Sequence, residues 1–473
     1  MQTPDILILL EEIVEKVWRL EAFLTEIESI SVEEDKELIQ FYRSQIRGLK
    51  QRLEDPITEI REGQEDFREY LRTYFDVCSH FQTMHQQFWL FVSLPKVYPE
   101  VYTFVHSLFP RNQFEDVEPT LVYCPIYNFG EANAIDQFSK LGIFLDKGAG
   151  DRVILLLPYV DFRNPMMWTA LAHEMGHAIE KDKGIVGSIL PELPGRKELE
   201  PLRRWLKEFC ADHIALRLMG PAYLISFISY IISLHPYFYV PTLTHPQPHS
   251  RIEYMRTYLE RNCLFHPKAQ HYYELFQELT AFYKVSKFDL QQLPTEITSP
   301  CPTCKYEYKM KLPESLKRFP ELIHQLNEQV NSISFPDVCG TEDLRRAEKL
   351  AEDLDHGFFI SSYKETTMGE IRHHLNELLT QNTPGQANRE EIYSVLKLIE
   401  DKPNKVSQII NAGWIQKINR QIDKFQKIFE EDDSILEEKF NTFGNYLESI
   451  SYNIQKSIET SKIHSLFAPG EKQ

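Results

Sequence analysis

The chain has 473 residues, a formal charge of −18 and a hydrophobic content of 42%. That content predicts large buried cores and excludes a disordered chain, and the length corresponds to about three domains. The excess of acidic residues argues against a general nucleic-acid-binding protein, because the negatively charged phosphates of nucleic acids bind positively charged side chains. Seven cysteines are too few for a disulfide scaffold of this length, and the acidic amino-terminal segment is unlike a signal peptide. We therefore expect a cytoplasmic protein with reduced thiols.

The first part of the chain predicts long helices. Apolar residues recur at alternating spacings of three and four over residues 10–27, with Glu and Lys between them, which is a heptad pattern. The pattern continues over residues 38–53 in a second helix. Pro56 predicts a break or an N-terminal turn before an aromatic-rich third helix over residues 60–91. Residues 1–92 are therefore predicted as a helical bundle or coiled-coil arm.

Changes in composition divide the rest of the chain. Residues 93–286 contain short β-like runs followed by helical patterns, and they are predicted as the core. Residues 287–340 are richer in proline and read as a linker or a small insertion. Residues 341–473 return to heptad patterns, which predict a C-terminal helical domain with an antiparallel helix pair. The predicted fold class is α+β, mainly α, with a small sheet in the core.

The segment FRNPMMWTALAHEMGHAIEKDKG carries the clearest chemical signal. The Asn-Pro pair at 164–165 suits the start of a helix, and Gly184 suits its end. His173 and His177 are four residues apart, so both imidazoles leave one helix face and can share a metal ion. Glu174 lies beside the first histidine, where a carboxylate can act as general base on a metal-bound water. The motif predicts a zinc site; the alternative is a helix with two exposed or hydrogen-bonded histidines.

The next helix-like segment, WLKEFCADHIALRL, supplies a third ligand. Glu208 and Asp212 are four residues apart and face the same way on a helix. Glu208 is predicted as the third metal ligand, with a solvated carboxylate as the alternative. Asp212 is predicted to accept a hydrogen bond from a ligand histidine and to fix its tautomer. His213 is a rival ligand, although it points about 100° away from Asp212.

The sequence HEMGH followed by EFCAD resembles the gluzincin metallopeptidases, with a closer similarity to the CAAX prenyl endopeptidases and HtpX-type heat-shock proteases. That family carries a downstream His-Pro and an arginine, which THPQPHSRIEYM matches with His245, Pro246 and Arg251. The resemblance implies a zincin-like core, an oxyanion-stabilising His245 and an Arg251 that orients the site through a carboxylate. His249 is a second candidate for the oxyanion role. The resemblance covers residues 150–290 and lacks the family's membrane helices, so a soluble branch or an ImmA/IrrE-like zincin is implied.

Three further segments allow two interpretations each. The apolar run VILLL at 153–157 is either an edge strand that pairs with an extended peptide or a core strand. Residues 218–250 lack Lys, Arg, Asp and Glu. Their apolar part is shorter than the roughly 20 residues of a spanning helix, which favours a buried helix over membrane contact. Cys301 and Cys304 form a single CxxC, which is either a structural zinc site with two further ligands or a redox pair, and the lack of a surrounding βαβ pattern disfavours the redox pair.

Together these residues predict a zinc-dependent endopeptidase that acts on a protein or peptide substrate. His173, His177 and Glu208 would bind Zn²⁺, while Glu174 would take a proton from water and return it to the leaving amine. The alternative is a catalytically silent, zinc-stabilised interaction or regulatory protein, which the presence of Glu174 disfavours. A membrane-apposed protease is a third possibility. The helical arms predict self-association, partner binding or gating of the cleft.

Overall fold

The structure is a computed structural model. It describes residues 3–30, 36–61, 76–79, 81, 99–108, 119–124, 130–133, 153–158, 161, 163–190, 197–234, 239, 241–282, 285, 293–300, 307–335, 337–355, 404–430 and 436–467. This part of the chain is mainly helical with small β-sheets, which confirms the predicted α+β, mainly α class. The CxxC cysteines Cys301 and Cys304 and most of the predicted third helix lie outside the described residues.

Helices make up most of the described elements. Their bounds are α1 Thr3–Ile30, α2 Lys36–Arg61, α3 Pro99–Leu108, α4 Thr169–Lys183, α5 Ile185–Ile189, α6 Glu200–Met219, α7 Pro221–Ile232, α8 Pro248–Arg261, α9 Ala269–Phe282, α10 Phe319–Ser332, α11 Thr341–Asp355, α12 Val406–Gln416, α13 Ile422–Glu430 and α14 Leu436–Phe467. Short 3-10 helices at Lys197–Leu199 and Glu314–Arg318 precede α6 and α10, and a π-helical turn at Lys417–Gln421 joins α12 to α13.

The strands form two separate sheets. Strands β1 (Pro119–Cys124), β2 (Gly130–Asn133) and β3 (Val153–Pro158) make a three-stranded sheet in the order β1-β3-β2. Strand β3 runs parallel to β1 and antiparallel to β2, while β4 (Glu296–Pro300) and β5 (Glu307–Lys311) form an antiparallel pair. The interpretation of VILLL as an edge strand was therefore wrong, because β3 is paired on both sides and works as a core strand.

The N-terminal helices follow the predicted heptad pattern. Helix α1 packs against α2, and the heptad positions of both helices with described side chains are buried. The expected break at Pro56 was wrong: α2 continues through it to Arg61. Helix α2 is already formed over the residues before Pro56. The missing N–H of Pro56 therefore removes one backbone hydrogen bond without ending the helix.

Helix α1 is also buried on faces that a two-helix pattern leaves to solvent. It contacts α13 and α14, and α14 approaches so closely that a Cβ on Gly444 would lie 1.8 Å from Trp18 Nε1. Glu11, Glu12 and Glu15 of α1 are buried around the Lys417 ammonium, and we call these four residues the carboxylate cluster. The two ends of the chain are thus joined by buried charges.

The carboxylate cluster also contacts the central part of the chain. The Tyr272 hydroxyl of α9 donates to Glu12 Oε1 at 2.8 Å, and the Ser229 hydroxyl of α7 donates to Glu12 Oε2 at 2.6 Å. The Asn164 amide donates to Glu15 Oε1 at 3.2 Å. The predicted terminal arms therefore share a buried interface with residues of the predicted core.

The charge-poor stretch forms helix α7, whose side chains are almost all buried between α4, α6, α9 and α12. This burial agrees with the interpretation as a core helix. In the described part of the chain, the search for a helix with the length and apolarity required to cross a bilayer returned none.

Candidate metal centre

Helix α4 presents the HEMGH segment, and its two ends differ in how well the sequence predicts them. The helix ends as expected at Gly184, which adopts φ 59° in the left-handed region and donates its N–H to the Glu180 and Lys181 carbonyls. The expected start at residues 164–165 was wrong, because α4 begins at Thr169 after a series of tight turns. The Asn164 side chain bonds to Asp161 and Glu15 instead of capping the helix.

Three side chains predicted as metal ligands meet between α4 and α6. Their ligand atoms lie within 4.8 Å of one another, and we call His173, His177 and Glu208 the ligand cluster. The two imidazole Nε2 atoms are 3.2 Å apart. His173 Nε2 is 3.6 Å from Glu208 Oε2, and His177 Nε2 is 3.6 Å from Glu208 Oε1. This largely buried set can hold a metal ion.

A glycine brings the two ligand helices together. A Cβ on Gly176 would lie 2.8 Å from the Cα and 3.0 Å from the carbonyl oxygen of Ala211, closer than side chains tolerate. The backbones of α4 and α6 therefore touch at this point, one residue before His177 and three residues after Glu208. The absence of a side chain at Gly176 sets the distance across which histidine and carboxylate meet.

Arg251 on α8 binds both carboxylates of α6. Its Nε and Nη2 donate to Asp212 Oδ2 and Oδ1 at 2.8 and 2.7 Å, and its Nη1 is 3.0 Å from Glu208 Oε2. The guanidinium also lies over the Phe227 ring, 4.5 Å from its centroid. Arg251 thus contacts both carboxylates, while its orienting role stays a prediction.

Asp212 faces the far nitrogen of a ligand histidine, as its spacing from Glu208 predicts. Its Oδ1 lies 3.0 Å from His173 Nδ1, which leaves His173 Nε2 directed at the ligand cluster. Sequence analysis missed a third partner here: the Tyr223 hydroxyl donates to Asp212 Oδ1 at 2.6 Å and lies 3.0 Å from His173 Nδ1. A tyrosine in an apolar helix carries no spacing signal, so only the fold reveals this contact.

The buried charges shift the ionisation of the cluster in opposite directions. Burial lowers the pKa of His173, but its hydrogen bond to Asp212 and its interaction with the Glu208 carboxylate outweigh burial and raise that pKa to about 9. Burial lowers the pKa of His177 to about 4, and the positive charges of His173 and Arg251 add to this. Burial opposes the ionised form of Glu208 and Asp212, yet Arg251 prevails and holds the pKa of both carboxyls below the usual range.

The His-Pro segment places His245 at the rim of the ligand cluster. His245 Nε2 is 3.6 Å from Glu208 Oε1, and most of its side chain is exposed. Its loop is held by the Thr242 hydroxyl, which accepts the N–H groups of Thr244 and His245, and by the Thr242 carbonyl, which accepts Trp205 Nε1–H. The Thr244 hydroxyl lies 2.8 Å from His245 Nδ1.

The two rival histidines have other surroundings. His249 Nε2 lies near Gln277 and Glu253 of α9 and α8. His213 points to the opposite side of α6, where Tyr254, Asn327 and Asn331 surround its ring nitrogens. The structure therefore brings His245, and neither His249 nor His213, within 4 Å of a ligand-cluster carboxylate.

Glu174, the predicted general base, follows His173 directly on α4 and is 9% exposed. Its negative charge is one of the causes that raise the pKa of the Tyr223 hydroxyl well above its usual value, behind burial and Asp212.

Comparison with known proteins gives no match: no protein-family model, curated protein or solved structure is similar to this chain at a significant level.

Proposed function

We propose that the protein is a zinc-dependent endopeptidase with a zincin-like core. The observation that carries the proposal is the ligand cluster, in which two imidazole nitrogens and one carboxylate converge beside a further glutamate on the same helix. Two histidines and a glutamate are one of the ligand sets of catalytic zinc, which keeps its fourth position open. A general base is required only if that fourth position does chemistry.

The spacing of the ligand cluster fits zinc. Bonds of about 2.0–2.1 Å arranged tetrahedrally separate neighbouring ligand atoms by about 3.3 Å. The two imidazole Nε2 atoms are 3.2 Å apart, and each lies 3.6 Å from a different oxygen of Glu208. The second requirement is a fixed tautomer, and Asp212 opposite His173 Nδ1 supplies it.

The residues around the cluster divide the work of peptide hydrolysis. His173, His177 and Glu208 would hold a zinc ion, which would supply Lewis acidity and a water whose pKa lies near 7. The Glu174 carboxylate takes a proton from the attacking water and hands it to the leaving amine nitrogen. The His245 Nε2–H stabilises the oxygen of the scissile carbonyl as negative charge develops on it, and Thr244 favours this tautomer by donating to Nδ1. Arg251 keeps Asp212 and Glu208 ionised and oriented.

The resemblance to the CAAX prenyl endopeptidases and HtpX-type proteases belongs to this proposal. Support comes from the order of the elements, since a strand precedes the HEMGH helix and the third ligand lies on the next long helix. Arg251 and His245 of the His-Pro segment both lie near Glu208, with Arg251 Nη1 3.0 Å from Oε2 and His245 Nε2 3.6 Å from Oε1. A protein or peptide is accordingly the proposed substrate.

The proposal is tested by exposing a mixed peptide library to the wild type, Glu174→Gln and Glu180→Gln, with the metal content of each recorded. Glu180 is a buried carboxylate of the same helix that accepts the Val186 N–H and pairs with Lys207, so Glu180→Gln makes the same chemical change at a carboxylate that is not part of the ligand cluster. We expect one zinc in all three, cleavage by wild type and Glu180→Gln, and a loss of about 10²–10⁴-fold in Glu174→Gln.

Two results would count against the proposal. Zinc-loaded wild type that cuts no peptide would favour the zinc-stabilised interaction protein, and equal cleavage by Glu174→Gln would remove the assigned base. Gating by the terminal helices stays a prediction. Deleting them is a poor test, because α1 and α12 contribute buried contacts to α7 and α9, so loss of activity could reflect misfolding.

A further inference from the structure

The Tyr223 hydroxyl of helix α7 contacts both the ligand cluster, through His173, and Asp212, and the proposed reaction does not use it. Tyr223 is 1% exposed and its ring stacks on His173 with an interplanar angle of 11°. A buried hydroxyl within hydrogen-bonding distance of both His173 and Asp212 constrains the orientation of both side chains.

The hydroxyl has one proton, and the two distances show where it goes. The 2.6 Å contact to Asp212 Oδ1 is the shorter one, and an ionised carboxylate only accepts, so Tyr223 donates to Asp212. The phenolic oxygen then offers a lone pair to His173 Nδ1, 3.0 Å away. Both oxygens facing Nδ1 are acceptors, so the neutral imidazole carries its proton on Nδ1 and keeps its Nε2 lone pair for a metal ion.

We propose that Tyr223 is a positioning residue of the metal centre, which fixes the tautomer and ring orientation of His173 together with Asp212. The inference rests on the proposed function only insofar as the ligand cluster binds zinc. It adds a residue on a third helix to those that α4 and α6 supply.

The position of Tyr223 is itself fixed by the C-terminal part of the chain. Asn411 of α12 accepts the Ala222 N–H at 3.0 Å and donates to the Met219 carbonyl at 2.9 Å. These bonds hold the junction between α6 and α7 at Gly220, whose φ is 58°. The Tyr223 hydroxyl is therefore held one turn beyond a junction that α12 locks, as a positioning group requires.

Tyr223→Phe isolates the hydroxyl, because phenylalanine keeps the stacked ring. Tyr272→Phe is the matched control: it also removes a buried hydroxyl that donates to a carboxylate, here Glu12 of the carboxylate cluster. Both metal-free variants and the wild type are titrated with zinc against a chromophoric chelator and with cobalt, whose absorption reports ligand geometry. Their free energies of unfolding in urea are measured in parallel.

We expect Tyr223→Phe to bind zinc about 10–100-fold more weakly and to alter the cobalt spectrum. Tyr272→Phe should lose a similar amount of stability but keep its zinc affinity within about twofold and its cobalt spectrum, because its site is independent. Equal zinc affinity of Tyr223→Phe and wild type overturns the inference, and so does an equal loss in both variants. Wild type that binds no zinc overturns the inference and the proposed function together. The expected order of affinities without peptide cleavage supports the inference and overturns the function.

Discussion

The carboxylate cluster and the ligand cluster both bury ionisable side chains, and they differ in which atoms face one another. In the carboxylate cluster, Lys417 Nζ lies 2.7 Å from both Glu12 Oε1 and Glu15 Oε2, so acids meet donors at hydrogen-bond distance. In the ligand cluster, each imidazole Nε2 stops 3.6 Å short of a Glu208 oxygen, beyond hydrogen-bond distance. Close donor–acceptor pairs indicate a structural role, whereas imidazole nitrogens and a carboxylate that converge at longer distances leave room for an ion.

The supporting shells of the two clusters differ in the same way. Glu15 accepts hydrogen bonds from Lys417, Arg19 and Asn164. Burial raises the pKa of its carboxyl, but the positive charges of Lys417 and Arg19 outweigh burial and hold that pKa well below the usual range. In the candidate metal centre the cation is Arg251, which contacts Glu208 Oε2, the oxygen that also faces His173, and leaves Oε1 toward His177 and His245. The arginine thus stabilises the charge of Glu208 without covering the oxygen that faces His177 and His245.

The largest effect should come from removing the ammonium of the carboxylate cluster. Lys417→Met leaves Glu12 and Glu15 buried without their shared cation, and we expect the free energy of unfolding at pH 7 to fall by about 3–5 kcal/mol. The loss should be smaller at pH 5, because the carboxylates can then take up protons. Urea unfolding at both pH values measures it.

The control for that prediction is Lys317→Met, whose salt bridge with Glu314 is exposed and should contribute less than about 1 kcal/mol. The folded Lys417→Met protein should still bind zinc, since its missing group belongs to the other cluster. A change below 1 kcal/mol, or loss of zinc in the folded variant, would contradict the division between the two clusters.

An intermediate effect should come from separating the ligand helices. Gly176→Ala forces a Cβ against the Ala211 backbone, and such overpacking costs about 1–3 kcal/mol. We expect this strain to lower the free energy of unfolding and to weaken zinc binding, because α6 carries Glu208 away from His177. Gly187→Ala is the control, since no atom lies within 4 Å of the added Cβ. Unchanged zinc affinity in Gly176→Ala would show that the ligand spacing tolerates a wider helix pair.

The smallest expected change is the release of about one proton when the ligand cluster binds zinc. With a pKa of about 9 for His173 and about 4 for His177, the metal-free cluster at pH 7 holds its proton on His173 alone. Zinc must displace that proton, so zinc binding should release about one proton. The zinc affinity should therefore rise about tenfold for each unit of increasing pH between pH 5 and 8. Above pH 9 the proton is already lost and this dependence disappears. Calorimetry in two buffers of different ionisation enthalpy measures the release, and zero protons at pH 7 would contradict the assignment.

The sequence predicted the ligand cluster better than its surroundings, for a physical reason. His173, His177, Glu208 and Asp212 are spaced on single helices, and a helical period converts spacing directly into direction. Tyr223 reaches the site from another helix, and contacts between helices follow from packing that no local period records. The prediction from Pro56 was wrong because packing against other helices stabilises α2 and outweighs the low helix propensity of proline.

The same limit explains the carboxylate cluster. The heptad pattern identified the face of α1 that meets α2, and it left Glu11, Glu12 and Glu15 on faces that a two-helix arm exposes. Their burial depends on a lysine 402 positions away from Glu15 in the sequence. Only the complete fold brings such a partner close enough for its charge to compensate theirs.

The distance along the chain between Glu15 and Lys417 has a consequence for synthesis. At about 5–20 residues per second, the ribosome adds Lys417 roughly 20–80 seconds after it has added Glu15. Asn411, which locks the junction beside Tyr223, is translated in the same late interval. The nascent chain therefore lacks both the ion pair between Glu15 and Lys417 and the support of Asn411 for the candidate metal centre until residue 417 has been translated.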